Sequence, residues 1–277
     1  MEHSQERSRR VRLLSWVVGL SCLFMFFALL FTLAGVLLSQ REGTRRERCE
    51  YNLAQLYRAT SEYVDSCGSY PPAFSCDSDG RKLHSWRVLL LPYLGESELY
   101  AQIRLDEPWD SEWNSQFWSQ TPLVYRCASM PDHSGKGFQG TTSDEKCAFS
   151  CVVGDNTLFP SDGSSLAPDL VVDGSSNTIM YVERKSPSNW MDPNADLTKE
   201  HVIAENGKPV AERVDFGSWH GLGENVLLCD GSTRFLSEKI DDSVLELLLG
   251  VDDSAAEETA TESSDVVETA DSQNSVE

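Results

Sequence analysis

The chain has 277 residues, with 44 Asp and Glu against 23 Lys and Arg and a formal charge of −21. That acidic balance excludes the cationic surface needed to neutralise phosphates, so no nucleic-acid partner is expected. With 40% hydrophobic residues the chain is long enough to bury one sizeable core.

Residues 1–12 form a short basic head containing Arg7, Arg9, Arg10 and Arg12. Residues 13–38 carry no charged side chain. As a helix rising about 1.5 Å per residue they would reach roughly 39 Å, more than a bilayer core of about 30 Å. The sequence therefore predicts an uncleaved single-pass transmembrane anchor, with the lipid bilayer as its partner. The competing reading is a cleaved secretory signal. Such apolar regions usually run about 7–15 residues and end at small residues, which Val36-Leu37-Leu38 does not supply. Arg41, Arg45, Arg46 and Arg48 follow the run, so arginines flank both ends and charge alone does not orient it.

Residues 39–65 read as a helical extension, because Leu53, Leu56, Tyr57, Thr60 and Tyr63/Val64 recur at three- and four-residue steps. Gly68 and Pro71-Pro72 stop it. Residues 66–251 form the expected globular domain. Asp77-Ser78-Asp79-Gly80 resembles the opening of a calcium loop without its remaining ligands, and otherwise reads as a turn. Ser85 can cap a helix starting at Trp86, which Pro92 interrupts. Pro108 suits a first helical turn, placing Trp109, Trp113 and Phe117 on one face. Trp109, Trp113 and Trp118 are the candidate ligand-facing aromatics, suited to stacking on sugar rings; the alternative is a stripe facing the core.

From residue 123 the pattern turns β-like, with short runs at 123–127, 148–153, 170–172, 178–183 and 225–229. Asp230-Gly231, flanked by Val226-Leu227-Leu228 and Thr233-Arg234-Phe235, predicts a tight hairpin, since Asp-Gly tolerates positive φ. A second Asp-Gly turn stands at Asp173-Gly174. Ser243 and Glu246 have capping-box spacing ahead of a short apolar helix that Gly250 can end. Residues 252–277 carry nine acids, no base and no aromatic residue, and are expected to be a disordered tail.

Seven cysteines follow the apolar run: Cys49, Cys67, Cys76, Cys127, Cys147, Cys151 and Cys229. That count is normal for an oxidising compartment, and the odd number leaves connectivity open. Cys147 and Cys151 have no second Cys or His pair at finger-like spacing, so no metal site is assigned. No nucleophile elbow, H-E-x-x-H helix or phosphate loop occurs. Among the five histidines only His220 sits in a distinctive string. His220 with Asp230 offers a base with an orienting carboxylate, or a metal pair. The alternative is a backbone-bonded histidine and a turn aspartate. Asp173 and Asn177 offer calcium oxygen ligands, but Asx side chains in turns usually bond their own backbone. No catalytic residue and no cofactor is assigned, calcium being the one ion with candidate ligands, and the chain is not expected to be an enzyme.

Several strings occur in order: Cys49-x-x-Asn52-Leu53, Tyr70-Pro71-Pro72, Asp79-Gly80, Ser85-Trp86-Arg87-Val88-Leu89-Leu90-Leu91-Pro92-Tyr93-Leu94, Leu105-Asp106-Glu107-Pro108-Trp109-Asp110-Ser111, Asp173-Gly174-Ser175-Ser176-Asn177-Thr178-Ile179, and His220-x9-Asp230-Gly231. Over residues 49–245 the chain thus resembles a bacterial family of unknown function with a prepilin-like N-terminus and a C-terminal H-x9-DG motif. The resemblance singles out His220, Asp230, Gly231, Asp173 and Gly174 as motif residues. It implies an α+β fold in which an N-terminal transmembrane helix runs into a pilin-like antiparallel sheet, with the body extracytoplasmic, in the periplasm. It also implies other pseudopilin-like or envelope proteins as partners. The chain departs from a prepilin leader: Arg12 runs straight into Leu13 without the Gly of a cleavage site, and no acid lies within residues 13–38. Processing and polymerisation are therefore not expected. The expected role is a structural or interaction component of an envelope or secretion-related assembly, the alternative being an anchored glycan- or ligand-binding module.

Overall fold

The computed structural model describes residues 2–127, 146–209, 212–219 and 223–252; in the first helix, side chains before residue 43 are described at 16, 19–21, 23–33 and 35. The chain divides into two compact units, Met1–Arg45 and Arg46–Glu277.

Helix α1 spans Glu2–Cys67. Its portion in the first unit exposes Trp16, Leu20, Phe24, Phe27 and Phe31. The expected transmembrane helix is not found: among the described residues no helix is long and apolar enough to cross a membrane. The 13–38 run is not an element of its own but one part of a helix of 66 residues that takes in the arginines on both sides.

In the second unit, the apolar stripe of α1 is buried as its spacing predicts. Cys49, Leu53, Leu56, Ala59 and Thr60 are fully buried, and Tyr57, Tyr63 and Val64 pack partly against the same core. Gly68, at φ 75°, ends the helix by donating its N–H to Val64 O at 2.8 Å.

Strands β1 (Phe74–Cys76) and β2 (Lys82–Ser85) form a hairpin, followed by α2 (Trp86–Leu89), a 3₁₀ turn at Leu91–Leu94 and α3 (Ser97–Gln102). The main sheet is antiparallel, in the order β3 (Lys146–Ser150), β5 (Ile179–Asn189), β7 (Gly223–Leu228), β8 (Thr233–Ser237). A small parallel pair joins β4 (Val152–Val153) to β6 (Leu197–Thr198). Helices α4 (Lys199–Asn206) and α5 (Asp242–Leu249) complete the unit.

Successive strand residues point to opposite faces, and here both faces are covered. Met180, Tyr181 and Leu227 join a core with α1, α2 and Trp190, whereas Ile179, Val182, Val226 and Leu228 join a second core with Val202 of α4 and Leu245 and Leu249 of α5. That is why β7 is buried at every position.

The α+β class with an antiparallel sheet therefore holds, while several local expectations are corrected. Residues 123–127 hold a 3₁₀ turn at Leu123–Tyr125, and of residues 170–172 the first closes another at Pro168–Leu170. Pro122 and Pro168 fix φ at these points and start tight turns instead of strands. The helix expected from Pro108 is absent; turns lead to a 3₁₀ turn at Asn114–Phe117. The buried Asn114 side chain donates to the carbonyls of Arg104, Glu107 and Pro108 and accepts from Arg104 N, wrapping this segment around itself. Helix α5 is capped by Asp241, not Ser243: its carboxylate accepts from Ser243 N at 3.0 Å. The tail at 253–277 lies outside the described residues.

Candidate functional site

The two Asp-Gly turns, remote in sequence, come together. Asp230 N donates to Ser175 O at 2.9 Å, Cys229 N to Thr178 O at 3.0 Å, and Arg234 Nη2 to Ser176 O at 2.9 Å. Asp230 Oδ1 accepts from Ser232 N and Ser232 Oγ, and these bonds hold its carboxyl below the usual range. Gly231 has φ 86°, and a Cβ there would lie 2.6 Å from the Tyr57 ring of α1. Glycine at this position serves both the turn and the close approach of α1. In the other turn, Asn177 Nδ2 donates to Asp173 O and Thr178 Oγ1 to Gly174 O. The motif residues Asp173, Gly174, Asp230 and Gly231 thus form one joint between turn, turn and helix; His220 lies outside the described residues.

Asp77 Oδ1 accepts from Asp79 N and Arg81 N, and Oδ2 from Arg81 Nε at 3.1 Å. The stretch likened to a calcium loop is a self-bonded turn. Trp109 and Trp118 lie with ring centroids 5.2 Å apart, and the Trp118 Nε1–H donates to Trp109 O. Both pack partly against the main core. Trp113 is more open; Arg104 sits 4.2 Å over its ring and its Nε1–H donates to Gln102 O.

Three polar groups inside the second unit were not assembled by sequence reasoning. First, Arg87 and Asp196 form a buried ion pair, Nη2 to Oδ1 at 2.7 Å. Arg87 also donates to Phe149 O and Cys147 Sγ, while Asp196 accepts from Trp86 Nε1 and Cys151 N. Burial opposes the charge on Arg87, and Asp196 beside it more than restores it. Nearby Arg184 is pushed below the ordinary arginine value, by burial first and by Arg87 second.

Second, Cys49 Sγ lies 3.1 Å from Cys127 Sγ, and these thiols with a Glu183 carboxylate oxygen all lie within 4.8 Å of one another. Two sulfurs and a carboxylate are a donor set that can hold a soft cation such as zinc. Glu183 Oε2 already accepts from Asn225 N at 2.8 Å and from Asn225 Nδ2 at 3.2 Å.

Third, His201 Nε2 lies 3.0 Å from Asp215 Oδ2, and Ser186 Oγ bonds Asp215 Oδ1. Nucleophile activation requires the histidine to touch the serine, with the carboxylate behind it. Here the carboxylate stands between them, so this order does not activate Ser186. The neighbouring Glu205 accepts from the N–H groups of Val214, Asp215 and Phe216; burial raises its pKa, but these bonds prevail and hold it below the usual range.

The one signal in sequence for the first two groups was that Cys49 and Arg87 lie within the strings of the family resemblance. A family model described as "Protein of unknown function (DUF1559)" matches residues 39–208 and 184–243. No curated protein and no solved structure matches the chain.

Proposed function

Because the chain belongs to this DUF1559 family of proteins of unknown function, we propose that it is a pseudopilin-like structural or interaction component of a bacterial envelope or secretion-related assembly, with its body extracytoplasmic. The observation that carries the reading is the exposed apolar surface of α1, which includes Met25 and Leu29 on one side and a row of large side chains, the seam, on the other. Trp16, Leu20, Phe24, Phe27 and Phe31 follow one another at three- and four-residue steps, and Phe24 and Phe31 are 76% and 82% exposed. Large side chains at that spacing form the ridge by which one helix packs on another, and exposed aromatics on this scale call for a partner. The partner proposed is an apolar helix of a neighbouring envelope protein.

The test places a photo-crosslinking residue, one at a time, at Phe24, Phe27 and Phe31 and, on the opposite side of the same helix, at Met25 and Leu29. Protein adducts in cells are expected from the seam positions and several-fold fewer from the other two. Uniform yields around the helix, or none to any protein, overturn the reading. So does protease digestion placing the body in the cytoplasm.

A further inference from the structure

We infer that Cys49 and Cys127 are a disulfide-forming pair that clamps α1 to the body. The two sulfurs are 3.1 Å apart, and both residues lie in the main core, 0% and 8% exposed. Their backbones are held in register by a neighbouring tether: Asn52 Nδ2, one turn along α1 from Cys49, donates to the carbonyl of Arg126 at 2.9 Å. Arg126 is itself fixed by Nη2 donating to Thr121 O, and the turn at Leu123–Tyr125 is anchored by Tyr125 OH donating to Arg87 O. Bond formation therefore needs the two sulfurs to close by about 1 Å, from 3.1 Å to a disulfide length of about 2.05 Å.

The chemistry is thiol–disulfide exchange with a disulfide donor, either a protein oxidoreductase or a low-molecular-weight disulfide. One thiolate attacks the donor, breaking its S–S bond and releasing one donor thiolate. The second cysteine thiolate attacks the mixed disulfide, forming the Cys49–Cys127 bond and releasing the other. Two electrons pass to the donor, and the two protons lost from the cysteines end on its two thiols. Burial then keeps reductants from the bond. The clamp fixes α1 to the body of the second unit at the turn where the buried part of the helix begins. The inference rests on the extracytoplasmic reading for the donor met in the cell, but not for its geometry.

The competing use of the same sulfurs is a zinc site completed by Glu183. Tetrahedral zinc with Zn–S near 2.3 Å would hold its sulfurs roughly 3.7 Å apart. The observed sulfur separation is shorter than that geometry requires.

The test uses the full-length wild-type chain, so no variant has to fold. Protein is extracted from cells under alkylating, non-reducing conditions and mapped by mass spectrometry. The expected product is a cross-linked peptide pair containing Cys49 and Cys127, two hydrogens lighter than its separate parts. In parallel, reduced and denatured protein is refolded with oxidised and reduced glutathione, and the same link is expected to dominate all others. If the link forms on refolding but both thiols are alkylated in the cellular protein, the pair stands and the extracytoplasmic reading fails. If refolding yields other pairs in preference, or leaves these two cysteines alkylated, the inference is overturned. Stoichiometric zinc that co-purifies with the wild-type chain and is released when Cys49 and Cys127 are alkylated also overturns it.

Discussion

Neutralising Asp196 tests the account of the core most sharply. In Asp196→Asn the side chain keeps its shape, but the Arg87 guanidinium, 0% exposed, loses its ion-pair partner. Removing one member of a buried pair costs about 3–5 kcal/mol because the remaining charge stays buried. Two features place this site toward the upper end of that range. The asparagine must turn its NH₂ group toward a donor somewhere in a ring that now consists of Arg87 Nη1 and Nη2, Trp86 Nε1, Ser150 Oγ and Cys151 N. In addition, Arg184, whose charge Asp196 also favours, would face Arg87 with Asp215 as its remaining carboxylate partner. A loss of that size is a large part of a typical stability of about 5–15 kcal/mol. The assay is urea unfolding of the full-length chain followed by tryptophan fluorescence, since Trp86 stacks on Tyr181 at 4.2 Å beside the pair. The double variant Arg87→Met/Asp196→Asn should recover part of the loss, because it removes the stranded charge. A loss below about 1 kcal/mol in Asp196→Asn, or a double variant as damaged as the sum of the singles, would refute the reasoning.

Other predictions concern single positions. Burial pushes Glu224 up from 4.5 to about 7, with Arg213 opposing and Glu183 adding to the rise. The folded state then holds this proton more tightly than the unfolded chain, so its contribution to stability is full below about 4.5 and is lost as pH rises through about 7. Unfolding free energy should fall by up to about 3 kcal/mol across that window, and Glu224→Gln should flatten the dependence in a pH series of denaturant melts. Gly231→Ala should cost about 1–3 kcal/mol in thermal unfolding, from left-handed backbone and from its Cβ meeting the Tyr57 ring. Adding Tyr57→Ala should relieve the steric share of that cost, so that strict additivity of the two losses would count against it.

Several parts of the fold were legible because they are written locally. The three- and four-residue spacing of Leu53, Leu56 and Thr60 identified the buried face of α1, and the Asp230-Gly231 pair identified the β7–β8 hairpin. Each needs only neighbours within a turn or two, so period and turn chemistry suffice. Where local rules competed, they misled. Trp109, Trp113 and Phe117 have helical spacing, yet Asn114 captured the surrounding carbonyls and curled the segment into turns. An apolar run long enough on paper became part of a longer helix, with no span among the described residues.

What the tertiary structure alone decided are the pairings between distant residues. Arg87 meets Asp196 across 109 positions, Thr60 meets Tyr181 across 121, and Cys49 meets Cys127 across 78. The composition required buried charges and thiols to find partners, because an unpaired polar group in a core is costly. Which partner each finds is set by the order of strands β3-β5-β7-β8 and by the face of β5 on which α1 lies, and no periodicity along the chain encodes that choice.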